Sequence, residues 1–268
     1  MEQGTWPPQG RHRLREGLNP RHASWYLATL GVVVLASACT SAPDDTRVPG
    51  SDSTASATPI GRPEVSDIAP PELIEPGPAQ ATLMALPLSP RVVPREVGYL
   101  RNAFGTNWID TDGNGCNQRD DVLLRDGTPG TVLVVTQGTC DHDVVAGNWV
   151  DPYTGKELVF GNLKDRVQAQ GIQIDHVVPL AEAWVSGAAE WPEARRKAFA
   201  NDLDALLAVD GPTNASKGDG DPAAWRPKKK FQCAYARRWI GIKAAWNLAV
   251  DESERRALSE MLSICRGR

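Results

Sequence analysis

Polar and apolar positions change rhythm several times along the 268 residues. Trp25 to Ala38 is an unbroken apolar run. Residues 40 to about 90 show no periodicity and are rich in Pro, Ser, Thr, Ala and Asp, the composition of a disordered tether. Order is expected from Arg91 onward. "PREVGYLRNAFG" predicts a short helix, and the β-branched run "TVLVVTQG", residues 131–138, predicts a strand. "KELVF", residues 156–160, predicts another after the turn "DPYTG". A third apolar run, Ile172 to Leu180, is broken by Asp175 and His176. "EWPEARRKAFANDLDALLAV" predicts a helix with Pro192 in its first turn. Residues 229–250 predict a long helix. A second follows, with Asp251 as N-cap and Glu254 completing a capping-box variant. There is no internal repeat. The elements give an α+β fold ending in a helical hairpin, one sizeable domain plus extensions.

Composition adds compartment. Arg11, Arg13, Arg15 and Arg21 precede the first apolar run, which is too short for a comfortable transmembrane span and has the length of a signal core. It ends "VLASAC". Residues 1–38 therefore read as a signal peptide of lipoprotein type, with Cys39 the lipidated residue of the mature chain and a membrane anchor. Ala36 departs from the Leu commoner at such sites. Residues 39–90 are the linker and 91–268 the ordered domain. Without residues 1–38 the net charge moves from −4 to −6, which excludes a binder held by bulk positive charge. Four cysteines remain, and four allow three pairings. Nearest neighbours give Cys116–Cys140 and Cys233–Cys265, the second stapling the helical hairpin. No C-x-x-C spacing suggests a zinc-thiolate site.

The interrupted strand carries the chemistry. Two polar side chains in mid-strand are costly to bury unless something pairs with them or uses them. Adjacent strand residues face opposite sides, yet near the strand's end both reach one site, and Pro179 ends the ladder. Of four histidines only His142 and His176 lie beyond the signal, and a histidine suits general-base work near neutral pH. Downstream, "GPTNASKGDGDPAAW", residues 211–225, is a loop. Asn214 reads as a turn residue, an N-cap or a hard-metal ligand. Lys217, one helical turn on, reads as a surface charge or a partner of that site.

Taken together, His176-Val177-Val178-Pro179 with Asp175 before it, and "EAWVSGA", "FANDLDALLAV" and "NASKGDGDPAAW" after it, resemble the HNH or His-Me finger endonucleases of the H-x-x-P type. The exported actinobacterial-type proteins are the nearest match. The likeness runs over roughly residues 98–268, back to "DTDGNGCNQRDDVL". Ala223 stands where many such sequences carry a final His. The resemblance implies a β-hairpin crossed by a helix around one divalent ion, the ββα-metal core, with a helical insertion between Ala181 and about Leu207. Asp175 and Asn214 would hold Mg²⁺ or Mn²⁺, His176 would activate water, and Lys217 would neutralise a phosphate oxygen. The implied function is a metal-dependent endonuclease of low sequence specificity acting on DNA, with RNA as a second substrate and no protein partner.

Three readings stand for "DTDGNGCNQRDD": half of a calcium loop through Asp110, Asp112, Asn114 and Gly115 with Asp121 in place of the usual Glu; a plain polar turn; or active-site neighbours Asn117, Arg119 and Asp120. Asp219 and Asp221 are outer ligands or turn-shaping residues. Residues 226–243 hold Arg226, Lys228, Lys229, Lys230, Arg237, Arg238 and Lys243 without an acid. That run predicts a nucleic-acid track, with Tyr235 or Trp239 near bases or else in the core. Two competing functions remain. One is a catalytically inactive, surface-tethered module that binds nucleic acid or a cell-wall partner. The other is a modification-dependent restriction nuclease domain, which an export signal argues against.

Overall fold

Two antiparallel strands divide the molecule between two hydrophobic cores. β4 (Ile172–His176) pairs with β5 (Leu206–Asp210), with Ile172 opposite Asp210 and His176 opposite Leu206. Side chains alternate across the pair. Ile172, Ile174, Leu206 and Ala208 enter one core, while Leu207 and Val209 enter the other. A strand buried on both faces reads as a continuous apolar run. That is why "LLAVD" was absorbed into a predicted helix. The helix in fact ends early: α5 is Glu193–Ala200, a 3₁₀ turn covers Leu203–Ala205, and β5 follows.

The structure is a computed structural model and describes residues 72–89, 98–106 and 108–267. The signal segment, Cys39, most of the linker and residues 94–97 of the first expected helix lie outside these. The described part of that helix is a 3₁₀ turn, Arg101–Phe104.

One core lies under a three-stranded antiparallel sheet of β1 (Leu133–Gln137), β2 (Cys140–Val150) and β3 (Glu157–Phe160). The polar-looking "CDHDVVAGNWV" of β2 carried no strand signal, because its His142 and Asp143 are matched only by the distant Asp121 and Lys164. α2 (Gln118–Asp126) packs Val122 and Leu123 into this core, and Trp149 Nε1 donates to Leu123 O at 2.8 Å. Arg125 donates to Leu203 O and Leu206 O, each at 2.7 Å, and Ala208 N donates to Asp126 at 2.9 Å. These bonds tie α2 to β5. α3 (Arg166–Gly171) leads into β4.

The other core is helical: α4 (Leu180–Val185), α5, α7 (Gln232–Trp246) and α8 (Glu252–Ser263). The third apolar run stops as a strand at His176, since Pro179 caps α4 and has no N–H for a ladder. α7 ends at Asn247 in the left-handed region, φ 54°. Asp251 caps α8 through Glu254 N at 2.8 Å, while the Glu254 carboxylate turns inward to Trp239 Nε1 at 2.6 Å. Cys233–Cys265 joins the hairpin ends and Cys116–Cys140 joins the loop before α2 to β2.

The tether assignment is corrected at its end. Residues Pro76–Ala85 form α1, whose Ala79 and Leu83 are fully buried against α7 and α8. Arg237 secures the approach to it by donating to Ile74 O, and to Leu73 O at 2.9 Å. Alanine-rich, low-charge sequence hid an apolar helix face of only two buried positions.

Candidate active site

β4, which β5 pairs with, meets the start of α4 and the helix α6 (Gly211–Lys217) at a cavity of about 200 Å³. α6 starts directly after β5 because Asp210 caps it, accepting from Thr213 N at 3.1 Å and Thr213 Oγ1 at 2.7 Å. Asp175, His176, Asn214 and Asp219 line the cavity together with Arg101. The structure thus brings together Asp175, His176 and Asn214 across the 38-residue gap between the last two, with α4 and α5 filling it.

His176 is buried, and its Nε2 lies 2.9 Å from Ala200 O. A carbonyl only accepts, so Nε2 carries the proton and Nδ1 keeps its lone pair. Burial, with the nearby charges of Arg101 and Lys217, outweighs the Ala200 bond and lowers the imidazole pKa to about 4. The ring is therefore neutral near neutral pH, with the Nδ1 lone pair unprotonated.

Asp175 accepts from Lys217 Nζ at 2.9 Å through Oδ1 and from Tyr153 OH at 2.6 Å through Oδ2. Burial raises its pKa, and the Lys217 charge and Tyr153 hydroxyl pull it back. Lys217 is 3% exposed and also donates to His176 O at 3.0 Å. This corrects the sequence expectation. The Lys217 ammonium is turned inward, where it neutralises Asp175 and clamps the His176 backbone, and a phosphate cannot reach it without displacing them. Asn214 Nδ2 donates to Gln173 Oε1 at 2.8 Å, which orients the amide and leaves Oδ1 to accept a hydrogen bond or ligate a cation. Arg101, exposed at the rim, is the cation that faces the cavity. Sequence reasoning missed Arg101, Tyr153 and Gln173. Arg101 stood within the resemblance, in "YLRNAFG", but nothing local separates it from any surface arginine.

Other expected residues lie elsewhere. Asn117 caps α2 and donates to Asp120 at 2.7 Å; Asp120 accepts from Val144 N at 3.2 Å; Arg119 reaches Ile172 O at 3.4 Å. These three do not line the cavity. They pin α2 to β2 and to the start of β4. Asp221 shapes its turn by accepting from Ala223 N and Ala224 N at 2.8 and 2.9 Å. His142 lies between Asp121 at 2.8 Å and Asp141 at 2.7 Å. Burial opposes its charge, but the two carboxylates overcome this and raise its pKa. The sulfurs beside it, Cys116 and Cys140, are joined in a disulfide and offer no thiolate to a metal.

The basic run divides. Lys228, Lys229 and Lys230 are exposed, while Arg226 pairs with Glu260 at 2.9 Å. Arg237 and Arg238 line a separate cavity of about 320 Å³ between residues 72–74 and α7, with Asp202 and Asp204. Arg237 holds the chain before α1, and Arg238 reaches Asp204 O at 3.4 Å. Lys243, Trp239 and Tyr235 are buried. The track is thus reduced to the three lysines. The residues lining the larger cavity include no imidazole and no side-chain amide, whereas His176 and Asn214 line the smaller one.

The family described as GmrSD restriction endonucleases, C-terminal domain, matches residues 122–261, which include both strands of the site and α6. A protein of Arthroderma benhamiae, described as an uncharacterized secreted protein, is 39% identical over 199 residues, 73% of this chain and 89% of that protein. No solved structure matches. The restriction-nuclease class, set aside on the export signal, returns as the domain family and points to a nuclease-type function. This chain belongs to the family of the C-terminal domain of GmrSD restriction endonucleases.

Proposed function

We propose that the chain is an exported, metal-dependent endonuclease that hydrolyses phosphodiester bonds of DNA, and of RNA as a second substrate, with little sequence preference. The observation that carries this reading is the His176 Nε2–Ala200 O bond, which leaves Nδ1 unprotonated on a residue that lines one cavity with Asp175 and Asn214. β4, β5 and α6 then form the ββα-metal core of the HNH type, with α4 and α5 as its insertion.

The donor set suits a hard divalent ion. Asp175 and the Asn214 carbonyl are oxygen ligands, and no cysteine is among the described residues that line the cavity. Mg²⁺ or Mn²⁺ held there supplies charge stabilisation at the phosphate and the leaving oxygen. Because Lys217 already offsets Asp175, the site adds little net negative charge, so ion and substrate phosphate are expected to bind together. His176 Nδ1 accepts a proton from water while the water oxygen bonds to phosphorus. One phosphorus–ester oxygen bond breaks, and the leaving oxygen takes a proton from solvent. Arg101 is placed to hold a phosphate oxygen at the rim. Tyr153 and Lys217 position Asp175 and His176 from behind.

Export rests on the amino-terminal signal and on the secreted relative; lipidation at Cys39 extends it to a tether on the outer face of the membrane. Lys228, Lys229 and Lys230 form the remaining candidate track for the phosphate backbone. The test is digestion of plasmid, linear DNA and RNA by the purified chain with Mg²⁺, Mn²⁺ or EDTA. Metal-dependent nicking is expected. Absence of cleavage with every metal would favour the inactive, tethered binding module.

A further inference from the structure

The loop before α2 has features that nuclease chemistry does not use. Asp110, Asp112, Asn114, the Cys116 carbonyl, Gln118 and Asp121 fall at the ligand positions of an EF-hand loop, and Gly115 falls at its obligatory glycine. The backbone agrees with the pattern. Gly115 has φ 92°, and a side chain there would run into the Thr139 carbonyl oxygen. The helix α2 begins at Gln118, as the exit helix of such a loop does near its end.

A run of acids alone would mean little, since Asp110 accepts from Gly113 N at 2.7 Å and Gly115 N at 2.9 Å, as in any tight polar turn. The second observation lies in the wall of the loop. Gln118 and Asp121 are both fully buried, and each presents an oxygen, Oε1 and Oδ2, without a hydrogen-bond partner. Both side chains are directed at the loop: Gln118 Nε2 donates to Thr111 Oγ1 at 2.6 Å, and Asp121 Oδ1 accepts from Asn114 Nδ2 at 3.0 Å. A buried oxygen without a partner is costly. Here the two such oxygens on α2 belong to the two loop-ligand positions that α2 supplies. The Asn114 amide completes the picture. Its Nδ2 bridges Asp112 at 3.0 Å and Asp121, the place where a cation would balance both carboxylates.

We propose that residues 110–121 form a calcium site, separate from the nuclease cavity. Asp110, Asp112 and Asp121 supply charge. The Cys116 carbonyl and Gln118 supply neutral oxygens, and Asn114 Oδ1, which accepts from Cys116 N at 2.7 Å, keeps a second lone pair for the ion. Calcium is the ion because about six to eight oxygen ligands in a flexible loop suit it, whereas Mg²⁺ demands a tighter octahedron. Asp121 is one methylene shorter than the usual Glu and is shared with His142 at 2.8 Å, so affinity falls in the extracellular class, Kd about 10⁻⁴–10⁻³ M. The site braces α2, whose Arg119 and Asp120 hold β4 and β2.

The experiment is calorimetric titration and thermal unfolding of the full chain, disulfides intact, with CaCl₂ and with MgCl₂. Wild type, Asp112→Ala and Asn214→Ala are compared. Asp112 is exposed and its side chain bonds to Asn114, so its removal leaves the fold in place. One calcium per chain is expected, with a rise in Tm that Mg²⁺ does not reproduce. Asp112→Ala should lose both signals and Asn214→Ala should keep both. The proposal is overturned if wild type shows neither signal, if Asp112→Ala binds like wild type, or if Asn214→Ala abolishes binding, which would put the ion in the nuclease cavity.

Discussion

Lys217 and Lys243 are both buried against carboxylates, yet the partners of one line a cavity and the other is sealed. Lys243 Nζ reaches Glu182 at 2.9 Å, Glu254 at 2.7 Å, Ser186 Oγ at 3.0 Å and Ala249 O at 2.8 Å. Burial pushes the Glu254 pKa up to about 7, while the glutamates overcome burial to raise that of Lys243. Every partner belongs to the helical core, and the network fastens α4 to α7 and α8. Lys217 instead has one carboxylate and one carbonyl, from the adjacent residues Asp175 and His176. The sealed cluster fixes helices; the other fixes the Asp175 carboxylate and the His176 backbone at a strand end. A buried charge gains a functional reading only where its partners also touch a cavity.

The largest effect follows from breaking the sealed network. Lys243→Met leaves two buried glutamates uncompensated and is expected to cost about 3–5 kcal/mol. Denaturant unfolding measures it, and cleavage per folded molecule should stay at the wild-type rate. Next comes His176. Its folded pKa, about 4, lies below the ordinary 6.5. The unfolded chain therefore binds its proton first as pH falls, so the stability that neutral His176 contributes is present above pH 6.5 and is lost between about 6.5 and 4. In EDTA, wild type should lose about 3 kcal/mol across that window from this group, and His176→Gln should lose correspondingly less. A smaller effect is expected from Lys217→Met, about 1.5–3 kcal/mol for lost charge-assisted bonds, because Asp175 keeps Tyr153 and can take up a proton. Here cleavage per folded molecule should fall, in contrast to Lys243→Met. Equal activity losses in both lysine variants would erase the distinction between the two clusters.

Much of this was readable in the sequence where the signal is local. Both disulfides, the Asp251 cap and the helical hairpin follow from spacing and cap chemistry, and Asp175, His176 and Asn214 follow from a break in an apolar run joined to a resemblance. What failed was non-local. β5 reads as helix because both its faces are buried. β2 carried no strand signal because His142 and Asp143 are satisfied by Asp121 and by Lys164, the latter at 2.5 Å. The basic run looked uniform, and only packing separates Lys228 on the surface from Lys243 inside. Lys217 was expected to face a phosphate and faces Asp175, since one-dimensional spacing gives the side of a helix but not which side is covered.

The most direct test of the account is cleavage of plasmid by the purified chain under single-turnover conditions, across a Mg²⁺ titration, for wild type, His176→Ala and Asn214→Ala. Loss of the base should slow His176→Ala by about 10²–10⁴-fold at every metal concentration, while high Mg²⁺ or Mn²⁺ restores part of the activity of Asn214→Ala. Cleavage by His176→Ala at the wild-type rate, or its rescue by metal as readily as Asn214→Ala, would contradict the assignment of His176 Nδ1 as the proton acceptor.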